Sequence, residues 1–316
     1  MPFYTMPDAE QLFVREYGQG QPVLVLSGLG MLSWQWAAFL YPHRKNFRFI
    51  IPEWRGFGAS GNCKIPSDLD AISSHWQDVR SVLAQLNLDK LMVIAYSMGA
   101  TTAMHGLHYD HFAQHISAYL HIDQSPKISV DDAWAFGLFG SRHQEFIGIL
   151  QEISLLLAQH VHLGSIQKLE SSVRAALAAL WLRFIQLQNR HKLSLKSCEF
   201  ILSQPRLQGL LLPSQRLDYM LWYINNYLYH REDYRTALSQ LSCPVTFFSG
   251  VQSRLYPFEG QRLIAESLPQ AKQVLFNKSG HTPLLTEPVK FAKELSRFLK
   301  EHHLAPSTVN SFGTAI

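Results

Sequence analysis

The stretch that most constrains this chain is Ala95-Tyr96-Ser97-Met98-Gly99-Ala100. It follows the apolar run Leu91-Met92-Val93-Ile94, which reads as a buried strand. It precedes Thr101-Thr102-Ala103-Met104, which reads as the start of a helix. A serine on a tight strand-to-helix turn, with small residues two positions to either side, has the geometry of a nucleophile elbow. The turn is strained and backbone packs against it, so a large side chain at either flanking position would collide. The common pattern is G-x-S-x-G, and here Ala95 stands at the first glycine.

The rest of the chain bounds what such a turn could serve. At 316 residues it makes one large domain or two, and 47% apolar residues suffice for a sizeable core. The net charge of +4 comes without any cluster of lysines and arginines, which argues against a nucleic-acid partner. Cys63, Cys198 and Cys243 lie far apart and form no C-x-x-C pair, which points to a reducing compartment. The first eleven residues lack a basic segment followed by an apolar core, so no signal peptide is expected. No run approaches 18 consecutive apolar residues, so no membrane-spanning segment is expected. The default is a soluble cytoplasmic protein.

Up to residue 126 strand and helix signals alternate. Phe13–Tyr17, Val23–Ser27, Phe47–Ile51, Leu91–Ala95 and Ile116–Ile122 read as strands, the first two separated by a hairpin turn at Gly18-Gln19-Gly20. Trp34–Leu40, Ser73–Leu86 and Met98–Leu107 read as helices. This alternation implies an α/β fold, a mostly parallel sheet covered on both faces. From Lys127 to Tyr234 the pattern is helical throughout: Phe146 to Leu157, Val173 to Leu187 and Leu217 to Leu228 carry apolar residues at helical spacing. Asp131-Asp132 reads as the N-cap of a helix. The strand and helix rhythm resumes with strands Pro244–Ser249 and Gln273–Phe276 and helices Glu259–Leu268 and Val289–Leu299. Residues 304–316 read as a frayed tail.

A serine hydroxyl becomes a nucleophile when a base takes its proton, a third group holds the base, and donors receive the oxyanion. His281, in Ser279-Gly280-His281-Thr282-Pro283 after the last strand, is the candidate base. Loops at the carboxyl ends of parallel strands open onto one sheet edge, so Ser97 and His281 would meet there.

At this point the chain resembles the α/β-hydrolase superfamily, over the greater part of its length. Ser27-Gly28-Leu29-Gly30 stands where relatives carry His-Gly and the oxyanion loop. Glu53-Trp54-Arg55-Gly56-Phe57-Gly58-Ala59-Ser60 looks like their D-x-R-G-x-G-x-S loop. Ala95 to Gly99 is similar to the elbow, and Gly280-His281-Thr282-Pro283 followed by Glu287-Pro288 looks like G-H-x-P…E-P. The resemblance implies an eight-stranded, mostly parallel sheet flanked by helices, with a helical cap after strand six. Residues 1–126 and 235–303 would then form the core and 127–234 the cap. It makes Ser97 the nucleophile, His281 the general base, and the backbone N–H groups of Leu29 and Met98 the oxyanion donors.

The acid departs from the pattern. Relatives commonly carry G-x-x-D after strand seven, whereas here Gly250-Val251-Gln252-Ser253 ends on a serine. Asp123, in His121-Ile122-Asp123-Gln124-Ser125-Pro126, is the candidate carboxylate, as in family members that take it from the end of strand six. A Ser–His pair without an acid, or another carboxylate such as Glu259, are the other readings. Ser27, Glu53 and Ala95 replace residues that do not react, and Asp78 reads as structural.

The helical stripes read mostly as packing, with Trp34, Trp134, Phe136, Phe139 and Trp181 as candidates to line an acyl or aryl pocket. His105, His108, His111 and His115 cannot share one helical face and read as surface histidines, so no metal or cofactor is expected. The implied activity is hydrolysis of a small to medium hydrophobic carboxylic ester through an acyl-enzyme. The same residues would serve a thioesterase, lactonase, amidase, peptidase or acyltransferase. A non-catalytic small-molecule binder is the reading that Ser253 favours. The oligomeric state is open.

Overall fold

The computed structural model describes residues 2–188, 192–204, 207, 211 and 216–303. The tail expected at 304–316 lies outside them. Eight strands form one sheet: β1 (Phe3–Thr5), β2 (Gln11–Gly18), β3 (Gln21–Leu26), β4 (Phe47–Pro52), β5 (Leu91–Tyr96), β6 (Ile116–Ile122), β7 (Val245–Gly250) and β8 (Ala271–Phe276). Their order is β1-β2-β4-β3-β5-β6-β7-β8, and β2 runs opposite to the other seven.

Two-sided burial explains why the inner strands are continuous apolar runs. On β3, Leu24 and Leu26 enter one core layer and Val23 and Val25 the other. The first layer is covered by helices Ala71–Leu86 and Met98–Tyr109. The second is covered by helix Pro288–Glu301 through Phe291, Leu295, Phe298 and Leu299. Helix Ala71–Leu86 starts where the Asp70 carboxylate accepts from Ser73 N–H and stops where Asn87 turns left-handed at φ 51°.

Between β6 and β7 lie helices His143–His160, Ser171–Gln188, Lys192–Ser203 and Leu217–Tyr229. They share a third core around Phe146, Ile149, Ile153, Leu177, Trp181, Met220 and Ile224. The two ends of this insertion meet: Lys127 bridges Asp233, and Tyr234 N–H donates to Pro126 O at 2.9 Å.

Two features differ from the sequence reading. Gly18-Gln19-Gly20 is not a hairpin turn, because β4 lies between β2 and β3; Gly18 and Gly20 take φ 88° and 96° beside the backbone of Phe47 and Asn46. Asp131 opens no helix: its Oδ1 accepts from Ala133 and Trp134 N–H at 3.1 and 3.0 Å, closing a tight turn, and the helix begins at His143. By length and apolar composition alone, Gly140–Leu163 is the one stretch among the described residues that could cross a membrane. Its stripe of Phe146, Ile149, Leu150, Ile153 and Leu157 is packed into the third core.

Candidate active site

Ser97 sits between β5 and helix Met98–Tyr109 with φ 52° and ψ −123°, a strained conformation for an L residue. The surrounding backbone holds it there. Ser97 N–H donates to Ile122 O at 3.1 Å, and its own carbonyl accepts from Ala100 and Thr101 N–H at 2.8 and 3.2 Å. Gly99 has no room for a Cβ, which would strike the Leu26 carbonyl. Ala95 faces the first core layer with its methyl fully buried.

His281 lies in the loop after β8. Its Nε2 is 2.9 Å from Ser97 Oγ, and its Nδ1 is 2.7 Å from Asp123 Oδ2. Asp123 sits at the end of β6, fully buried, with φ 42°. A carboxylate can only accept, so the His281 hydrogen is on Nδ1 and the Nε2 lone pair faces the serine hydroxyl. Asp123 takes three more donors: Gly250 N–H at 2.9 Å, Gln261 Nε2 at 3.0 Å and Ser253 Oγ at 2.7 Å. Ser253, at the last position of Gly250-Val251-Gln252-Ser253, thus donates to the Asp123 carboxylate. Glu259 is exposed on helix Phe258–Ser267. The Tyr96 ring stacks on His281 at 5.3 Å, and its hydroxyl donates to His281 O at 3.0 Å. Burial raises the Tyr96 and Tyr256 phenols, so both remain protonated.

Met98 N–H is the first of its helix, where donors have no intrahelical acceptor and the helix end is partially positive. The loop Gly28-Leu29-Gly30 runs alongside: a methyl on Gly28 would lie 3.3 Å from Ser97 Cβ. The arrangement can deprotonate Ser97 and offer main-chain donors beside it.

A cavity of about 780 Å³ lies against Ser97 and His281. Its walls include Leu138, Phe139, Phe146, Leu150, Trp181, Phe184, Met220, Tyr223 and Ile224, and Leu29 borders it. Phe139 and Trp181 are therefore lining residues. Trp34 is instead exposed, and Trp134 is turned away, donating to Ser125 Oγ at 2.9 Å. Phe136 packs edge-on against Trp134. Among the described lining residues Arg216 carries the formal positive charge, and Asp218 pairs with it at 2.6 and 3.1 Å.

Supporting loops explain the remaining motif residues. Glu53 accepts from Ser33 N and Oγ (3.1 and 2.6 Å) and from Ala59 N (2.8 Å), tying together the loops after β3 and β4. Ser27 Oγ accepts from Trp36 Nε1 at 3.0 Å. Arg55 and Asp78 form a buried two-point pair at 2.7 and 2.8 Å. His105 meets the Tyr234 hydroxyl and His115 the Asp89 carbonyl. Among the described residues no three His, Cys, Asp or Glu side chains are grouped to hold a metal.

A profile of the alpha/beta hydrolase family matches residues 23–294, most of the chain and all of the loops just described. The chain belongs to the alpha/beta hydrolase family. It is a hydrolase. Similar curated proteins are the pimeloyl-[acyl-carrier protein] methyl ester esterases of Vibrio vulnificus (strain YJ016) and Legionella pneumophila (strain Corby). The first is 23% identical over 282 residues, covering 89% of this chain and 95% of the relative. The second is 23% identical over 286 residues, covering 90% and 98%. Among solved structures, an esterase from Exiguobacterium antarcticum superposes with a TM-score of 0.69 at 19% identity, covering 95% of this chain and 99% of that one. An enol-lactonase from Burkholderia xenovorans LB400 gives 0.66 at 15% identity, covering 95% and 100%. These superpositions show that the chain shares its fold with both structures.

Proposed function

We propose that this alpha/beta hydrolase cleaves carboxylic esters through an acyl-enzyme on Ser97. The observation that carries the reading is His281 standing between Ser97 Oγ and Asp123 Oδ2 at 2.9 and 2.7 Å. His281 Nε2 takes the hydroxyl proton as Ser97 attacks the ester carbonyl. Asp123 holds the imidazole in the needed tautomer and stabilises the imidazolium. The oxyanion is received by Met98 and Leu29 N–H. His281 then returns the proton to the leaving alcohol, and a water activated by the same nitrogen releases the acid. This acyl transfer draws on no cofactor.

Residues 127–234 form a cap over a core of 1–126 and 235–303, and the substrate chain lies between them. The cavity walls are aromatic and aliphatic, and Arg216 is neutralised by Asp218, so the site suits an uncharged acyl chain of medium length. The names of the similar curated proteins make a methyl ester of a carrier-bound acyl chain a natural first assay. Their acyl-carrier substrate and the three free cysteines fit a cytoplasmic protein. The test is a series of p-nitrophenyl esters from acetate to decanoate alongside that methyl ester. Turnover should peak at a medium chain. No hydrolysis of any member would remove ester cleavage as the function.

A further inference from the structure

Asp123 accepts from four donors on three segments of chain, and two of these donors are side chains with no part in the reaction. Gln261 Nε2 lies 3.0 Å from Asp123 Oδ1 and 3.0 Å from Tyr256 O. Both neighbours are acceptors, so the amide nitrogen must face them and the amide cannot be turned. Its oxygen is buried and has no hydrogen-bond partner among the described residues. Packing alone gives no reason for this, because a methionine would fill a similar volume without an orphaned acceptor. An unexplained buried orphan of this kind points to a role for the group beside it. On the other oxygen, Ser253 Oγ accepts from Tyr256 N–H at 3.4 Å, so its own hydrogen goes to Asp123 Oδ2. That oxygen is the one facing His281.

We infer that Gln261 and Ser253 are positioning residues for ester hydrolysis, fixing the rotation of the Asp123 carboxylate and sharing its negative charge with His281. The inference rests on the Ser97, His281 and Asp123 reading above. The terminal torsion of an aspartate is soft. With Gln261 gone, Gly250 N–H alone holds Oδ1, and the plane of the carboxylate can turn away from the imidazole. With the Ser253 hydroxyl gone, Oδ2 concentrates more charge on His281 Nδ1–H, and the imidazole keeps its proton to higher pH.

The experiment compares Gln261→Met, Ser253→Ala and Ser253→Thr with Asp123→Asn, using p-nitrophenyl butyrate across pH and a melting curve for each variant. Gln261→Met should lower kcat about tenfold with KM unchanged, the value of a hydrogen bond to a charged group. Its melting temperature should fall modestly, because Asp123 Oδ1 and Tyr256 O each lose a donor, so kcat is read well below that temperature. Ser253→Ala should move the acid limb of the rate profile to higher pH, and Ser253→Thr should restore it. Should Gln261→Met fail to fold, the Ser253 pair carries the test alone. If Asp123→Asn is crippled while Gln261→Met and Ser253→Ala keep the parent kcat and acid limb, the positioning roles are refuted and the reacting residues stand. If Asp123→Asn keeps the parent rate, the underlying reading fails and this inference with it.

Discussion

The backbone at Ser97 and at Asp123 is left-handed, φ 52° and 42°, and the two residues end neighbouring strands. Each is pinned by the strand beside it: Ser97 N–H by Ile122 O and Asp123 N–H by Phe248 O. The strain therefore aims two side chains at one histidine. Asp123→Asn should cut kcat at least about 10²-fold in an ester assay, because the amide no longer holds the His281 tautomer. Gly28→Ala should lower kcat about tenfold or more while the protein stays folded, because its methyl would sit 3.0 Å from the Tyr96 ring and displace the loop beside Ser97. A parent-like kcat for Gly28→Ala would show that this loop does not need its close approach. Ser97 and His281 were legible because short motifs place them at strand ends. Asp123 was legible only as one candidate among others. The donors on Asp123 were not legible: Gln261 is 138 residues away and Ser253 is 130, and no local pattern marks a side chain whose partner is that distant.

Helix Leu217–Tyr229 is the element that joins the inserted helices to the sheet. One face gives Met220 and Ile224 to the third core, and the other gives Tyr219 and Tyr223 to the first. Tyr223 donates to Arg55 O at 2.7 Å, so His75 Nε2 at 3.0 Å must donate to it. Tyr223→Phe leaves both groups buried and unpaired, which should cost about 1–3 kcal/mol in a denaturant titration. A change within error would mean that the helix is held by packing alone. Ile224→Phe narrows the cavity, so kcat/KM for the longest ester should fall about tenfold while the acetate is spared, the scale of one or two methylenes. Equal losses for short and long esters would place the acyl chain elsewhere. Long elements were legible because two-sided burial and helical stripes repeat over many residues. The strand β1 was missed because three residues carry no period, and helix Lys192–Ser203 because its sequence shows no clean apolar stripe. The position of β4 between β2 and β3 is a non-local pairing that no local pattern encodes.

At the scale of the whole molecule, two buried histidines tie the sheet and its covering helices to pH. Burial lowers His75 to about 3 and His121 to about 4, both from 6.5. His75 stacks on Trp54 at 4.5 Å, and His121 Nε2 lies 3.1 Å from Gln124 O, next to Asp123. In the unfolded chain both would take protons as pH falls below 6.5, while in the fold they stay neutral. The unfolded state is therefore favoured on acidification, by up to about 1.4 kcal/mol per pH unit for each histidine. The melting temperature should fall steadily from pH 6.5 to about 4, and His75→Phe should flatten that slope. An unchanged slope would assign the acid sensitivity to other groups.

The central claim is that Ser97 is the nucleophile, held ready by His281 and Asp123. It is tested most directly by treating the protein with a fluorophosphonate and reading its intact and peptide masses, with Ser97→Ala in parallel. The account predicts one adduct per chain, on Ser97, with loss of ester hydrolysis both in the labelled protein and in Ser97→Ala. An adduct on another residue, or a Ser97→Ala protein that hydrolyses esters at the parent rate, would contradict it.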